Sequence, residues 1–172
     1  MKIKIPASTA KAVCSAVLIL MLTACSASPQ SESRDLFAMD TVMSLTVYGK
    51  NAETALAQSE QKIKELDRLF SVTDENSDIY KINESEEPVS VSEDTKNAVI
   101  RALQANKLTG GAFDITLRPV SKLWGFTNGS PHVPDSEQIT AALKQTGTDL
   151  INITGNQISC GGELDLGGIA KG

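Results

Sequence analysis

Histidine occurs once in this 172-residue chain and cysteine three times, which leaves little for metal chemistry built on imidazole or thiolate. A structural zinc site takes four such ligands, and Cys160 stands between Ser159 and Gly161 with no partner nearby in sequence. Aromatic residues make up only 4%, and 16 Lys and Arg face 21 Asp and Glu with no basic cluster, so no nucleic-acid track is present. A membrane-spanning run is missing too. The nearly uninterrupted apolar stretch Ala12 to Leu22 is about half of the ~20 residues a span requires.

What that stretch does fit is an export signal. Lys2, Lys4 and Lys11 form its positive start, and it closes in Leu22-Thr-Ala-Cys25, the pattern of a bacterial lipoprotein cleavage box. The expectation is a signal peptide over residues 1–24, lipidation at Cys25 and a polar Ser/Pro/Gln tether over 25–36. A lipid would then hold the protein on the extracytoplasmic or periplasmic face of the cell membrane. Loss of the signal makes the formal charge three units more negative than −5. It also removes Cys14, and with Cys25 lipidated, Cys160 has no disulfide partner. Cys160 is expected as a small buried residue at a strand end.

Residues 37–172 read as one domain. Met43, Leu45 and Val47 alternate with polar or aromatic neighbours, the period of a half-buried strand, and Gly49 to Asn51 turns the chain. Apolar residues from Ala52 to Leu69 recur at three- and four-residue steps and predict a helix of about five turns. Asp74 to Glu87 is polar and loop-like, with a short turn near Ile79 to Ile82. Ser92 caps a second helix with Glu93 and Asp94 in its first turn, and Gly110-Gly111 ends it. A third starts at Asp135 with Gln138 completing a capping box; Ile139, Ala142 and Leu143 point inward and Gly147 stops it. Ile151 to Cys160 is a hairpin turning at Gly155-Asn156, leading into a strand through Glu163 to Leu166. Helices and strands are mixed without a regular rhythm, which predicts an α+β fold with an antiparallel-rich sheet.

The glycine-rich segment from Asp165 to Gly172 fails two nucleotide motifs. Lys171 is followed by glycine, where a P-loop needs Ser or Thr, and Gly167, Gly168 and Gly172 do not keep dinucleotide spacing. What remains is a carboxylate, two glycines free to adopt positive φ or to let backbone approach a ligand, and a lysine. That suits a pyrophosphate with a cation, and equally a plain turn.

Three blocks narrow the choice: Gly110-Gly-Ala-Phe-Asp114, Leu123-Trp-Gly-Phe126 and Asp165-Leu-Gly-Gly-Ile-Ala-Lys-Gly172, preceded by Met39-Asp-Thr41. In order and spacing they resemble the FAD:protein FMN transferase (ApbE-type) family, over its N-terminal part. The resemblance implies an ApbE-like domain, C-terminally incomplete here. Met39 matches the methionine lying against the flavin, and Ala112, Phe113 and Asp114 match the segment lining the FAD site. Asp165 and Lys171 match further FAD contacts, and Gly168 the position whose carbonyl ligates magnesium. Thr73 stands where the family commonly has an aromatic residue, and so departs from its pattern.

Plainer roles stand beside these. Phe113 and Trp124 suit core packing, and Asp114 a cap of the turn before Arg118-Pro119. Asp165, in an apolar Leu-Asp-Leu segment, needs a partner, and Lys171 would serve. His132 belongs to a turn-rich loop and is expected exposed.

The activity implied is magnesium-dependent transfer of FMN from FAD to a threonine hydroxyl of an acceptor flavoprotein, with release of AMP. The acceptors implied are subunits of sodium-pumping NADH:quinone reductases and Rnf-type complexes. The family's remaining magnesium ligands and an assisting histidine are expected beyond Gly172, which implies that this chain alone is inactive and poorly folded. The alternative is a non-catalytic extracytoplasmic flavin-binding lipoprotein. A transporter's substrate-binding lipoprotein would account for the signal but for none of the three blocks.

Overall fold

The computed structural model describes residues 30–126 and 129–171. The signal segment, Cys25 and the first tether residues lie outside them, as does Gly172. Strands β1 (Ser31–Ala38) and β2 (Thr41–Tyr48) form an antiparallel hairpin in which Ala38 pairs with Thr41 and Ser31 with Tyr48. Met39 and Asp40 are the two turn residues, both left-handed with φ of 51° and 54°. A two-residue hairpin turn of this kind matches the strand twist, but a non-glycine residue there costs about 1–2 kcal/mol.

The inner face of the hairpin carries Leu36 and Ala38 with the half-buried Met43, Leu45 and Val47. It packs on helix α1 (Ala52–Phe70), which contributes the buried Ala52 and Leu56. Arg34 on the same face reaches Glu60 of α1 at 2.6 Å, and Lys64 reaches the other oxygen of Glu60 at 2.6 Å. These neighbours hold the Glu60 carboxyl below its ordinary pKa. The tether expectation is therefore corrected: Ser31 to Leu36 are paired strand, because their polar residues occupy the solvent face or pair with α1.

Beyond α1 a second cluster forms the core. The short turn expected near Ile79 is helix α2 (Asp78–Glu84), capped by Ser77, whose Oγ accepts the Tyr80 N–H at 2.8 Å. Its buried Ile79 and Ile82 pack with Val99 and Ala102 of helix α3 (Glu93–Leu108). The run looked loop-like because only two apolar side chains suffice for so short an element. The Ser92 cap is observed, its Oγ accepting the Thr95 N–H at 3.1 Å. α3 ends where the left-handed Gly110 and Gly111 turn the chain.

Strands β3 (Val89–Ser90), β4 (Ile151–Thr154) and β5 (Gln157–Cys160) make an antiparallel sheet in the order β3-β5-β4, with the fully buried Ile158 facing the core. Helix α4 (Arg118–Lys122) and helix α5 (Ser136–Leu143) lie between α3 and β4 in sequence. The Asp135 N–H bonds Gln138 Oε1 at 3.0 Å, as the capping box requires. α5 is shorter than expected: it ends at Leu143, which is 48% exposed rather than inward, and Gly147 instead opens the 3₁₀ turn Thr148–Leu150. The fold is α+β with antiparallel pairing, as expected.

Residues 163–166 depart from the strand reading. Leu164 and Leu166 are fully buried, yet the segment joins no sheet. Its backbone is satisfied elsewhere: the Asp165 N–H donates to the Ile115 carbonyl at 2.8 Å, and Leu164 is bonded by Asn83. Among the described residues no helix is long and apolar enough to cross a membrane.

Candidate functional site

Four segments from different elements meet around one cleft of about 340 Å³. They are the Met39-Asp40 turn, the end of α1 with its following loop (Asp67 to Thr73), α4, and the segment Asp165 to Ala170. A smaller lobe of about 260 Å³ is lined by Phe113, Asp114, Gly168 and others. Arg118, Ser121, Asp165 and Gly167 border both hollows, so the two are adjoining lobes.

Polar ties fix each wall. Met39 N–H donates to Asp67 Oδ1 at 2.8 Å, tying the hairpin turn to α1. Arg118 donates through Nε to Glu163 Oε2 at 3.0 Å and through Nη2 to the Val72 carbonyl at 3.2 Å. It thus links the loop holding Thr73 to the approach of Asp165. Lys122, one helical turn after Arg118, binds both oxygens of Glu163 at 2.9 and 3.0 Å. Phe113 is held at both ends of its peptide: its N–H donates to Thr109 Oγ1 at 3.0 Å, and its carbonyl accepts from Asn106 Nδ2 at 2.7 Å.

Asp114 and Asp165 share a pattern. Asp114 Oδ1 accepts from the Thr116 amide and hydroxyl at 2.8 and 2.7 Å, and Asp165 Oδ1 accepts from the Gly167 amide at 2.8 Å. In each the second carboxylate oxygen has no hydrogen bond among the described residues. Gly168 approaches the Phe113 ring so closely that an added Cβ would stand 3.0 Å from Cε2. Close approach, not positive φ, explains this glycine, for neither Gly167 nor Gly168 is left-handed.

Of the residues singled out in the sequence, Met39, Thr73 and Asp165 line the larger lobe. Phe113, Asp114, Asp165 and Gly168 line the smaller one. Ala112 and Lys171 line neither, although each adjoins a residue that does: Phe113 and Ala170 respectively. Lys171 is exposed and makes no ion pair with Asp165 among the described residues, so it is not the partner that carboxylate finds. Trp124 borders a third, apolar hollow with Leu117, Val120, Ser121 and Phe126, which shares Ser121 and Phe126 with the larger lobe and Leu117 and Ser121 with the smaller one. His132 is exposed, its Nδ1 2.9 Å from the Ser130 carbonyl.

Asp67, Arg118, Lys122 and Glu163 were not legible as site residues. Asp67 lay inside an amphipathic helix pattern, and Glu163 is 45 positions from Arg118. The 118/122 spacing of two cations just behind the Phe-Asp block was the one available signal. No group of three or more His, Cys, Asp or Glu poised for a metal occurs among the described residues. Burial pushes the Cys160 thiol up, and Cys160 lies outside both lobes, so it is no nucleophile for this site.

The ApbE family model matches residues 39–172. The FAD:protein FMN transferase of Vibrio cholerae is 34% identical over 129 residues, covering 71% of this chain and 39% of that protein. That of Salmonella typhimurium is 32% identical over 157 residues, covering 83% and 45%. Among solved structures, the ApbE protein of Thermotoga maritima matches with a TM-score of 0.77 at 35% identity, over 83% of this chain and 49% of that one. The flavin transferase ApbE of Vibrio cholerae matches with a TM-score of 0.71 at 27% identity, over 84% and 50%. The chain thus spans about half the length of these relatives or less.

Proposed function

Since this chain belongs to the ApbE family, we propose that its two-lobed cleft is the FAD-binding part of an FAD:protein FMN transferase. The observation that carries the proposal is the convergence of Met39, Phe113, Asp114 and Asp165, from distant parts of the sequence, on two adjoining lobes. Met39 and the Phe113 edge offer apolar contact to the flavin. Arg118 and Lys122 bring positive charge to the cleft wall, where the dinucleotide's phosphates need it.

The reaction proposed is displacement at phosphorus. An acceptor threonine oxygen forms a bond to the FMN-side phosphorus as the pyrophosphate bond breaks, the hydroxyl proton is lost, and AMP leaves. The chain's part is positioning and charge neutralisation, on which such transfers depend. Asp114, Asp165 and Gly168 line the smaller lobe, and each carboxylate keeps one oxygen without a hydrogen bond among the described residues, the kind of ligand a hard cation takes. Magnesium held there would act as a Lewis acid on the pyrophosphate.

The proposal extends to the acceptors, flavoprotein subunits of NADH:quinone reductase or Rnf-type complexes, and to membrane attachment. The Leu22-Thr-Ala-Cys25 box supports lipidation at Cys25 and an extracytoplasmic site of action. Incubating the full-length protein with FAD, magnesium and a threonine-bearing acceptor tests it. Stoichiometric AMP and an acceptor heavier by FMN on threonine are expected. Flavin bound without AMP would favour the non-catalytic flavin-binding reading.

A further inference from the structure

Asp67 is tied to the cleft in a way that none of the motif residues is. It sits in the last turn of α1, half-buried, lines the larger lobe, and accepts the Met39 N–H through Oδ1 at 2.8 Å. The turn it grips contains two successive left-handed residues, neither of them glycine. Left-handed Met is disfavoured by its Cβ, and such a conformation persists only where surrounding structure enforces it. Asp40 in the same turn has no hydrogen bond that would do so among the described residues. The Ala38–Thr41 pair closes the turn and the hairpin rests on α1, and this hydrogen bond ties the turn's first residue to the end of that helix.

We infer that Asp67 is a positioning residue: its carboxylate holds the strained Met39-Asp40 turn in the shape that presents Met39 to the flavin of a bound FAD. The inference rests on the flavin reading above. It goes beyond it in assigning the work of pre-organisation to a helix residue that belongs to no motif. The carboxylate acts through the Met39 backbone, so charge is not required and an uncharged acceptor of the same shape suffices.

The test titrates FAD into the full chain with magnesium and follows hydrogen exchange at the Met39 amide. Asp67→Ala is expected to weaken FAD binding about tenfold and to speed that exchange, whereas Asp67→Asn, which keeps Oδ1, stays within about twofold. Adding Asp40→Gly to Asp67→Ala removes the left-handed strain at one of the two turn positions and recovers part of the affinity. Loss of a merely structural contact would not be repaired by that glycine. Unchanged FAD affinity and unchanged exchange in Asp67→Ala would overturn the positioning role alone. Absence of FAD binding by the unaltered chain, with the exchange pattern as expected, would overturn the flavin reading and this ligand assignment with it.

Discussion

Asn83 brackets Leu164 as a neighbouring strand would. Its Nδ2 donates to the Leu164 carbonyl at 2.9 Å, and its Oδ1 accepts the Leu164 N–H at 2.7 Å. One side chain thereby satisfies both backbone groups of a fully buried residue whose segment joins no sheet. Asp165 follows directly, so the bracket sets where that carboxylate enters the cleft. Asn83→Ala is expected to cost about 2–3 kcal/mol, because it strands a buried donor and a buried acceptor. Asn83→Asp keeps the acceptor but sets a carboxylate oxygen against the Leu164 carbonyl, and is expected to cost at least as much. Urea unfolding midpoints decide the order, and equal midpoints for all three proteins would contradict it.

Local periodicity carried the regular elements but not this arrangement. The α1 stripe, the Ser92 cap, the Asp135–Gln138 box and the Gly155-Asn156 hairpin depend on residues a few positions apart, and all four were readable. The Asn83–Leu164 bracket spans 81 positions, and the Arg118–Glu163 pair 45, distances at which a single sequence holds no pairing signal. Leu164-Asp-Leu166 showed strand-like alternation, yet its hydrogen bonds went to a side chain and to Ile115 instead of a ladder. The polar β1 misled in the opposite direction. Its outer face is built of Ser33–Thr46 and Asp35–Ser44 pairs, which look like linker composition until the partner strand is known.

Gly168 tests the closeness of the cleft walls. A methyl group there would meet the Phe113 ring at 3.0 Å and push it from its place. Gly168→Ala is expected to weaken FAD binding about tenfold while changing folding stability by only about 1 kcal/mol. Flavin fluorescence titration alongside thermal unfolding separates the two effects.

Lys122 and Arg118 share Glu163, and they divide the labour. Lys122 is 49% exposed and so contributes mainly field at the cleft mouth, whereas Arg118 at 13% has become part of the frame. Lys122→Ala is expected to lower FAD affinity severalfold and to flatten its dependence on salt, since exposed charges are screened. Arg118→Met is expected to cost stability as well, because Glu163 and the Val72 carbonyl both lose a donor.

The Cys160 thiol gives a pH prediction of definite sign. Burial raises its pKa, so the folded chain holds that proton more tightly than the unfolded chain does. Its contribution to stability is complete below the unfolded thiol's pKa, about 8.5, and is lost as pH rises toward the folded value. Cys160→Ala should therefore show a shallower alkaline loss of stability than the unaltered chain, by urea unfolding between neutral and alkaline pH. Parallel curves would exclude a role for the thiol.

The most direct measurement is a titration of FAD into the full-length mature protein with magnesium, read by flavin fluorescence, for the unaltered protein and for Met39→Ala and Asp165→Ala. Saturable one-site binding that both substitutions weaken is the result the cleft predicts. No binding, or binding indifferent to both residues, would contradict the assignment of this cleft to the dinucleotide.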